Sequence, residues 1–400
     1  MPLLQQPSSA AMFLLRSLTS FFKHAPSRAV GLIFSADGLL YGSWSALIPY
    51  IKTKFGLDAA ELGALLFCLP MGVTVANLLG AWLIRHYGMR RTTILSLFIT
   101  APCFILPLLV PNLILLAFNL FICGLFFSIL NVAMNTCATA LENKEGIRIL
   151  STCHGMWSLG AMLGSALGGM ITGWGVAPAL YMSGAVVGIL LVGIGVRASI
   201  LAIPEEKVET QSESASFVWP TRLLWGLIVL SLCTNLAEGT MADWAAVYMR
   251  DIVQTAPWLT GWGFAAYAFW MATGRFTGDE LTHRYGSRRA LQVGGAVVAC
   301  GFVLAVALPY TFTTLLGFAL VGAGVSLGAP VLYGSASRVP GLAPGVGLAT
   351  MNTFAMAGFL AGPAFIGFLA KALGLREAFW LVAGVALFWC WKAGRAKGLT

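Results

Sequence analysis

Ser151-Thr-Cys-His154-Gly-Met-Trp-Ser-Leu-Gly160-Ala-Met-Leu-Gly164 returns later in the chain as Ala349-Thr-Met-Asn352-Thr-Phe-Ala-Met-Ala-Gly358-Phe-Leu-Ala-Gly362. Gly160 and Gly358, like Gly164 and Gly362, stand 198 residues apart. The same offset carries Arg85-His-Tyr-Gly88-Met-Arg90-Arg91 onto His283-Arg-Tyr-Gly286-Ser-Arg288-Arg289. A slightly longer one, 200 residues, carries Ser43-Trp44-Ser-Ala onto Asp243-Trp244-Ala-Ala. The 400-residue chain is therefore two degenerate copies of one unit. In a membrane protein a tandem repeat of that size predicts two helical bundles facing each other across a substrate path.

Composition places both copies in a bilayer. Hydrophobic residues make up 58% of the chain and charged residues 10%, with a mean hydropathy of +0.84, whereas a soluble domain carries about 25% charged residues. Apolar stretches of roughly the 20 residues needed to cross a bilayer recur throughout. We read twelve spans: near 28–50, 59–84, 91–109, 112–140, 149–173 and 177–198, then near 222–248, 258–279, 288–308, 311–336, 346–371 and 375–393. The expected fold is an all-α membrane protein of twelve transmembrane helices in two pseudo-symmetric six-helix bundles. Its parts are a cytoplasmic N-terminal tail (1–27), a first bundle (28–198), a cytoplasmic linker (199–221), a second bundle (222–393) and a cytoplasmic tail (394–400). The tail is read either as a short basic amphipathic helix on the inner leaflet or as disordered. Arg16 and Arg28 interrupt its apolar run too soon for a cleavable signal. The linker holds most of the polar low-complexity sequence and is expected to be mobile.

Basic residues fix the expected orientation. All but five of the 24 Lys and Arg lie at the termini, the even-to-odd loops and their span ends; Lys52, Lys54, Arg250, Lys371 and Arg376 fall on the other face. Cytoplasmic loops carry the basic excess, so both termini are predicted to be cytoplasmic. The net charge of +9 comes mostly from this bias and is no sign of nucleic-acid binding. The eight cysteines are scattered singly, without metal-binding spacing, and read as small packing residues. No cofactor and no metal is expected.

The loop Gly80-Ala-Trp-Leu83-Ile-Arg85-His86-Tyr-Gly88-Met-Arg90-Arg91 and its copy Gly278-Asp279-Glu280-Leu281-Thr-His283-Arg284-Tyr-Gly286-Ser-Arg288-Arg289 resemble the signature loop of the major facilitator superfamily, Gly-x-Leu-x-Asp-Arg-x-Gly-Arg-Arg. Leu83, Gly88 and Arg90 fit, as do Leu281, Arg284, Gly286 and Arg288; Arg85 and His283 stand where the family has its Asp. The resemblance implies a latch between the halves. The candidates are Arg85, Arg90, Arg284 and Arg288, with Asp279 and Arg275 the better-suited pair. A plain topological anchor is the alternative reading. Asn131-Val-Ala-Met-Asn135, the His154–Gly160 stretch, Gly42-Ser-Trp44 and Glu238-Gly239 leading to Asp243-Trp244 look like the fucose-permease-like branch, which includes many bacterial inner-membrane transporters. That resemblance implies a transporter, often proton-coupled.

Ionisable groups at membrane depth need a reason, since each costs about 2.5–3.5 kcal/mol on insertion scales. Asp37 lies near the middle of the first span and Glu238 in the equivalent part of the seventh, each followed by Gly. Either is a candidate proton-coupling site; the alternative is a carboxylate paired to fix helix packing. Asp243 reads as nearer the periplasmic side and solvated. Asn131 and Asn135, four apart, share a helix face, and Asn235 lies one turn from Glu238. With Trp44, Trp244 and Tyr267 they are candidate binding groups for a polyhydroxylated solute, though each aromatic also reads as packing. His154 is read as a gate or as a structural hydrogen-bond partner of Glu142.

These readings predict a secondary transporter that moves a small polar solute, a sugar in the leading version, by alternating access with proton symport. Proton-driven efflux of an amphipathic compound is the alternative. An enzyme or sensor is a distant third, because the four histidines are dispersed and no HExxH or Gly-Lys-Ser/Thr loop occurs. The expected partners are the solute, protons and the lipid bilayer, with no nucleic acid, and the chain is expected to work as a monomer.

Overall fold

The computed structural model describes residues 19, 21–146, 149–205, 219–342 and 346–396, without the side chains of 77, 78, 81, 279 and 359. The tail before residue 19, most of the linker and residues 397–400 lie outside it, so the readings made for them are not addressed.

Among the described residues the chain is helical, without strands. The first unit comprises α1 (Ala25–Lys54), α2 (Ala59–Leu66), α3 (Cys68–Tyr87), α4 (Met89–Cys103), α5 (Leu106–Leu109), α6 (Leu113–Glu145), α7 (Leu150–Gly173) and α8 (Pro178–Leu201). The second comprises α9 (Arg222–Asp251), a 3-10 turn (Pro257–Leu259), α10 (Trp262–Tyr285), α11 (Ser287–Ala307), α12 (Thr311–Val325), α13 (Gly328–Ala336), α14 (Val346–Leu373) and α15 (Leu375–Arg395). The breaks inside α2–α3, α4–α5 and α12–α13 interrupt single passes, so the elements follow the expected spans. Eight of the passes are long and apolar enough to cross a membrane. The ones that fall short are α1, α7, α10 and α15. Ser, Gly and charged residues dilute α1, α7 and α10; in α15, charges crowd the ends. Where a helix face meets protein instead of lipid, small and polar residues suit it better than apolar bulk.

The repeated loop confirms the internal symmetry at the level of dihedral angles. Gly88, between α3 and α4, and Gly286, between α10 and α11, both have φ +79° and ψ 150°. A side chain is strained at such positive φ, so each copy of the turn requires its glycine.

The repeated glycines of α7 and α14 pack differently. A Cβ on Gly160 would come within 2.0 Å of Ser35 O, and one on Gly164 within 2.2 Å of Leu39 O. Reciprocally, Gly38 and Gly42 of α1 meet Trp157 O and Ala161 O at 2.0 Å. This is a close backbone seam of the small-xxx-small kind. In the second unit the seam is missing: Gly358 faces the side chain of Leu232 on α9, and Gly362 meets nothing within 4 Å. The Leu232 side chain stands where the first copy has a backbone contact, so of these two glycine pairs only the first copy forms a backbone seam.

Candidate functional site

The two units touch most closely at the end remote from the chain termini. Gly63 of α2 lies against Pro363 O and Gly367 of α14, 2.7 and 2.9 Å from where its Cβ would stand. Gly261, before α10, lies against Ser165 O of α7 at 2.1 Å on the same measure. Ser45 Oγ donates to Ala242 O (2.6 Å) and Ser165 Oγ to Gly261 O (2.7 Å).

Ion pairs reinforce this seam. Lys52 pairs with Asp251, which also accepts from Arg250 Nε at 2.6 Å. Arg250 Nη1 reaches back to α1, donating to Thr53 Oγ1 (2.7 Å) and to Pro49 O. Lys371 Nζ lies 2.8 Å from Asp58 Oδ2. The other two cations of that face are also held, Lys54 by Leu108 O (2.8 Å) and Val110 O (3.0 Å), and Arg376 by Val306 O (3.0 Å). All five departures from the basic-residue bias thus have bonding partners. Asp58 is well organised for its role: its Oδ1 accepts from Glu61 N and its own N–H donates to Glu61 Oε2, both at 2.9 Å, a capping box at the start of α2.

Away from that seam lies a polar junction between the units. Arg275 Nη2 of α10 pairs with Glu238 Oε1 of α9 at 3.3 Å, and its Nη1 donates to Ser158 Oγ of α7 at 2.9 Å. One guanidinium therefore joins a carboxylate of the second unit to a hydroxyl of the first. The Glu238 side chain is 32% exposed, so the protein does not seal off the pair. Tyr41 of α1 lies within the field of both Glu238 and Asp243. Its ring packs against Phe127, Trp157 and Phe264 at 5.6, 5.8 and 6.4 Å. Tyr267 feels Glu238, Arg275 and Tyr41, yet its hydroxyl has no hydrogen-bond partner among the described residues.

The sequence-derived candidates divide between this junction and the packing around it. Asp37 is fully enclosed between α1 and α7. Its Oδ2 accepts from Trp157 Nε1 at 2.8 Å, and its Oδ1 has no partner. Trp44 and Trp244 are 2% and 0% exposed; in this conformation helix packing encloses both rings and neither reaches the junction, contrary to the expectation of solute-stacking aromatics. Asn135 Nδ2 donates to Asn131 O (2.8 Å) and Oδ1 (3.2 Å), and Asn235 Nδ2 to Ala355 O (3.2 Å); all three are half-buried.

The expected His154–Glu142 bond is replaced. Glu142 Oε1 accepts from the backbone N–H of Ile149 and Leu150 (2.6 and 2.8 Å), donors otherwise orphaned at the start of α7. The His154 ring instead packs edge-on to Phe34 at 5.3 Å. Arg275 has Glu238 as its carboxylate partner where Asp279 was expected; the Asp279 side chain is outside the described set. Arg90 bonds to Leu201 O (2.6 Å) and Glu205 (2.7 Å), and Arg288 to Gly394 O. Arg284 lies over the Tyr285 ring at 5.4 Å, and Arg85 is exposed. None of these loop contacts crosses between the units. Sequence reasoning missed Ser158 and Tyr41; it set Asp243 beyond Glu238 toward the Asp251 end of α9, where the helix carries it, but read it as solvated, whereas it is half-buried. The repeat offered a hint for Asp243 alone, because its mate, Ser43, is also polar.

Comparison with known proteins agrees with this architecture. The family profile of the Major Facilitator Superfamily matches residues 29–259 and 240–396. An uncharacterized MFS-type transporter of Yersinia pestis is 31% identical over 356 residues, covering 88% of this chain and 91% of that protein. The solved nucleoside transporter NupG (D323A mutant) has a TM-score of 0.73 at 11% identity, covering 92% of this chain and 98% of its own. The D-xylose–proton symporter has a TM-score of 0.70 at 15% identity, covering 93% and 98%. The chain belongs to the Major Facilitator Superfamily: it is a multi-pass membrane transporter of small molecules, and not an enzyme.

Proposed function

We propose that this transporter moves a small polar solute, a sugar or close relative, by proton-coupled symport across a bacterial inner membrane, working as a monomer with both termini in the cytoplasm. The observation that carries the reading is the Arg275 junction, in which one cation holds Glu238 of its own unit and Ser158 of the other. A proton on Glu238 removes the negative partner of Arg275 and frees the guanidinium to change its contacts. Proton uptake is thereby tied to the fit between the units. Asp37, enclosed and bonded to Trp157, has the surroundings of a positioning group; we assign the coupling proton to Glu238. With the termini cytoplasmic, the ion-paired seam is periplasmic and the described conformation is the inward-facing one. Alternating access follows from breaking that seam while the loops at Gly88 and Gly286 approach each other. The names of two solved structures of this fold, a nucleoside transporter and a D-xylose–proton symporter, are in keeping with a hydroxyl-rich solute.

The test is proton movement in proteoliposomes holding a pH-sensitive dye, screened against sugars and then against amphipathic drugs. Sugar-dependent acidification of the lumen, lost in Glu238→Gln and kept in Asp37→Asn, supports the proposal. Drug-dependent proton movement with no response to sugars would establish efflux instead. Solute movement without proton movement overturns the coupling.

A further inference from the structure

The charges around the junction do not cancel, and the imbalance says something about the solute. Arg275 is engaged by Glu238 on one side and Ser158 on the other. Asp243 lies two turns from Asn235 on α9, half-buried, with neither ion pair nor hydrogen bond among the described residues. The residue before it, Ala242, accepts from Ser45 of α1, one turn on from Tyr41, so Asp243 borders the same inter-unit region. Two carboxylates thus border this region, against one guanidinium that is already engaged. A membrane-depth carboxylate without a partner is costly and seeks a cation or a proton.

A second, independent feature points to a ligand. The Tyr267 hydroxyl is buried, its residue 1% exposed, and it has no hydrogen-bond partner among the described residues; its charged neighbours are Glu238 and Arg275. A buried hydroxyl normally finds a hydrogen bond; this conformation encloses Tyr267 as it encloses Trp44 and Trp244, and a solute hydroxyl supplies the partner when the site opens.

We propose that the solute carries a protonated amine as well as hydroxyl groups: an amino sugar or aminated polyol whose ammonium pairs with Asp243 beside the Tyr41 ring. This deepens the transporter reading above and rests on it. The ammonium donates a charge-assisted hydrogen bond to the carboxylate and is attracted by the aromatic face, while a hydroxyl of the solute serves Tyr267. A bare metal ion fits less well, since no group of three or more His, Cys, Asp or Glu among the described residues is arranged to hold one. An anionic solute fits least, because it would add a negative charge where two carboxylates already border one guanidinium.

The experiment is uptake by proteoliposomes of the full-length protein, comparing D-glucosamine with D-glucose and D-galactosamine with D-galactose, with N-acetyl-D-glucosamine as the neutral amide control. The inference predicts accumulation of at least one amine at least tenfold above its neutral partner. Asp243→Asn should abolish that preference and Asp243→Glu should keep it, with unfolding temperatures in detergent close to wild type. Equal uptake of amine and neutral sugar, a preference that survives Asp243→Asn, or no uptake of either member of any pair overturns the inference. The wider transporter reading is judged separately by the proton-flux experiment, which includes solutes without an amine.

Discussion

Lys371 Nζ stands 2.8 Å from Asp58 Oδ2, tying the end of α14 in the second bundle to the capping residue of α2 in the first. The contact holds Asp58 below its ordinary value of 3.8, first through the hydrogen bond from Lys371 and then through the Glu61 backbone amide. A carboxyl group whose pKa is lowered in one state favours that state when ionised and loses the effect as pH falls through the lowered value. The closed seam is therefore predicted to keep this contribution at neutral pH and to lose it below pH 3.8. Because Asp58 is exposed, salt should weaken the pair as well. Distances between spin labels on loops 55–57 and 252–256, followed against pH and salt, check both effects. Asp58→Asn should abolish the acid-dependent part.

The second ion pair is predicted to behave asymmetrically. Asp251 serves Lys52 and Arg250 together, so Asp251→Asn leaves two neighbouring cations facing each other, whereas Lys52→Ala leaves the Arg250–Asp251 pair intact. The cost of Asp251→Asn should exceed the roughly 0–1 kcal/mol of an exposed pair and fall short of the roughly 3–5 kcal/mol for breaking a buried one. Lys52→Ala should cost less. Thermal unfolding of the two variants in detergent ranks them.

The unequal glycine seams give a sharper contrast. Gly160→Ala places a methyl 2.0 Å from Ser35 O, whereas Gly362→Ala places one in open space. Overpacking typically costs about 1–3 kcal/mol, so Gly160→Ala should lower the unfolding temperature and Gly362→Ala should leave it unchanged or raise it slightly. Equal behaviour would contradict the asymmetric packing of α7 and α14.

Trp157 and Asp37 form another separable pair. Trp157→Phe removes the only hydrogen bond that the enclosed Asp37 carboxyl makes among the described residues, and a typical intramolecular bond contributes about 0.5–1.5 kcal/mol. Asp37→Asn keeps an acceptor for the indole N–H and should be the milder change. Unfolding temperatures of both variants, measured beside wild type, check the order.

Much of this fold is legible in the sequence because a bilayer imposes length and composition on each pass, and a repeat leaves its offset in the loops. Gly88 and Gly286 show how far that goes, since one offset anticipated two turns with the same dihedral angles. The site is less legible for a physical reason. In lipid both the outer and the packed faces of a helix are apolar, so hydrophobic periodicity does not say which way a side chain turns. Trp44 and Trp244 sit at repeated positions yet are enclosed, while Tyr41, three residues before Trp44, is at the junction. Arg275 could be marked as a charge needing a partner. That the partner is Glu238, on the preceding pass, depends on how α9 and α10 are rotated, which the sequence alone does not specify. The five cations of the sparse face were visible as exceptions, and their pairing with Asp58, Asp251 and backbone carbonyls gives the reason for them.

The central claim is that Glu238, through Arg275, couples a proton to solute movement. The most direct measurement records solute exchange and solute accumulation side by side in proteoliposomes containing wild type or Glu238→Gln. The account predicts that the variant still exchanges labelled for unlabelled solute at zero gradient but no longer accumulates it under an imposed proton gradient. Accumulation in Glu238→Gln equal to wild type would contradict it.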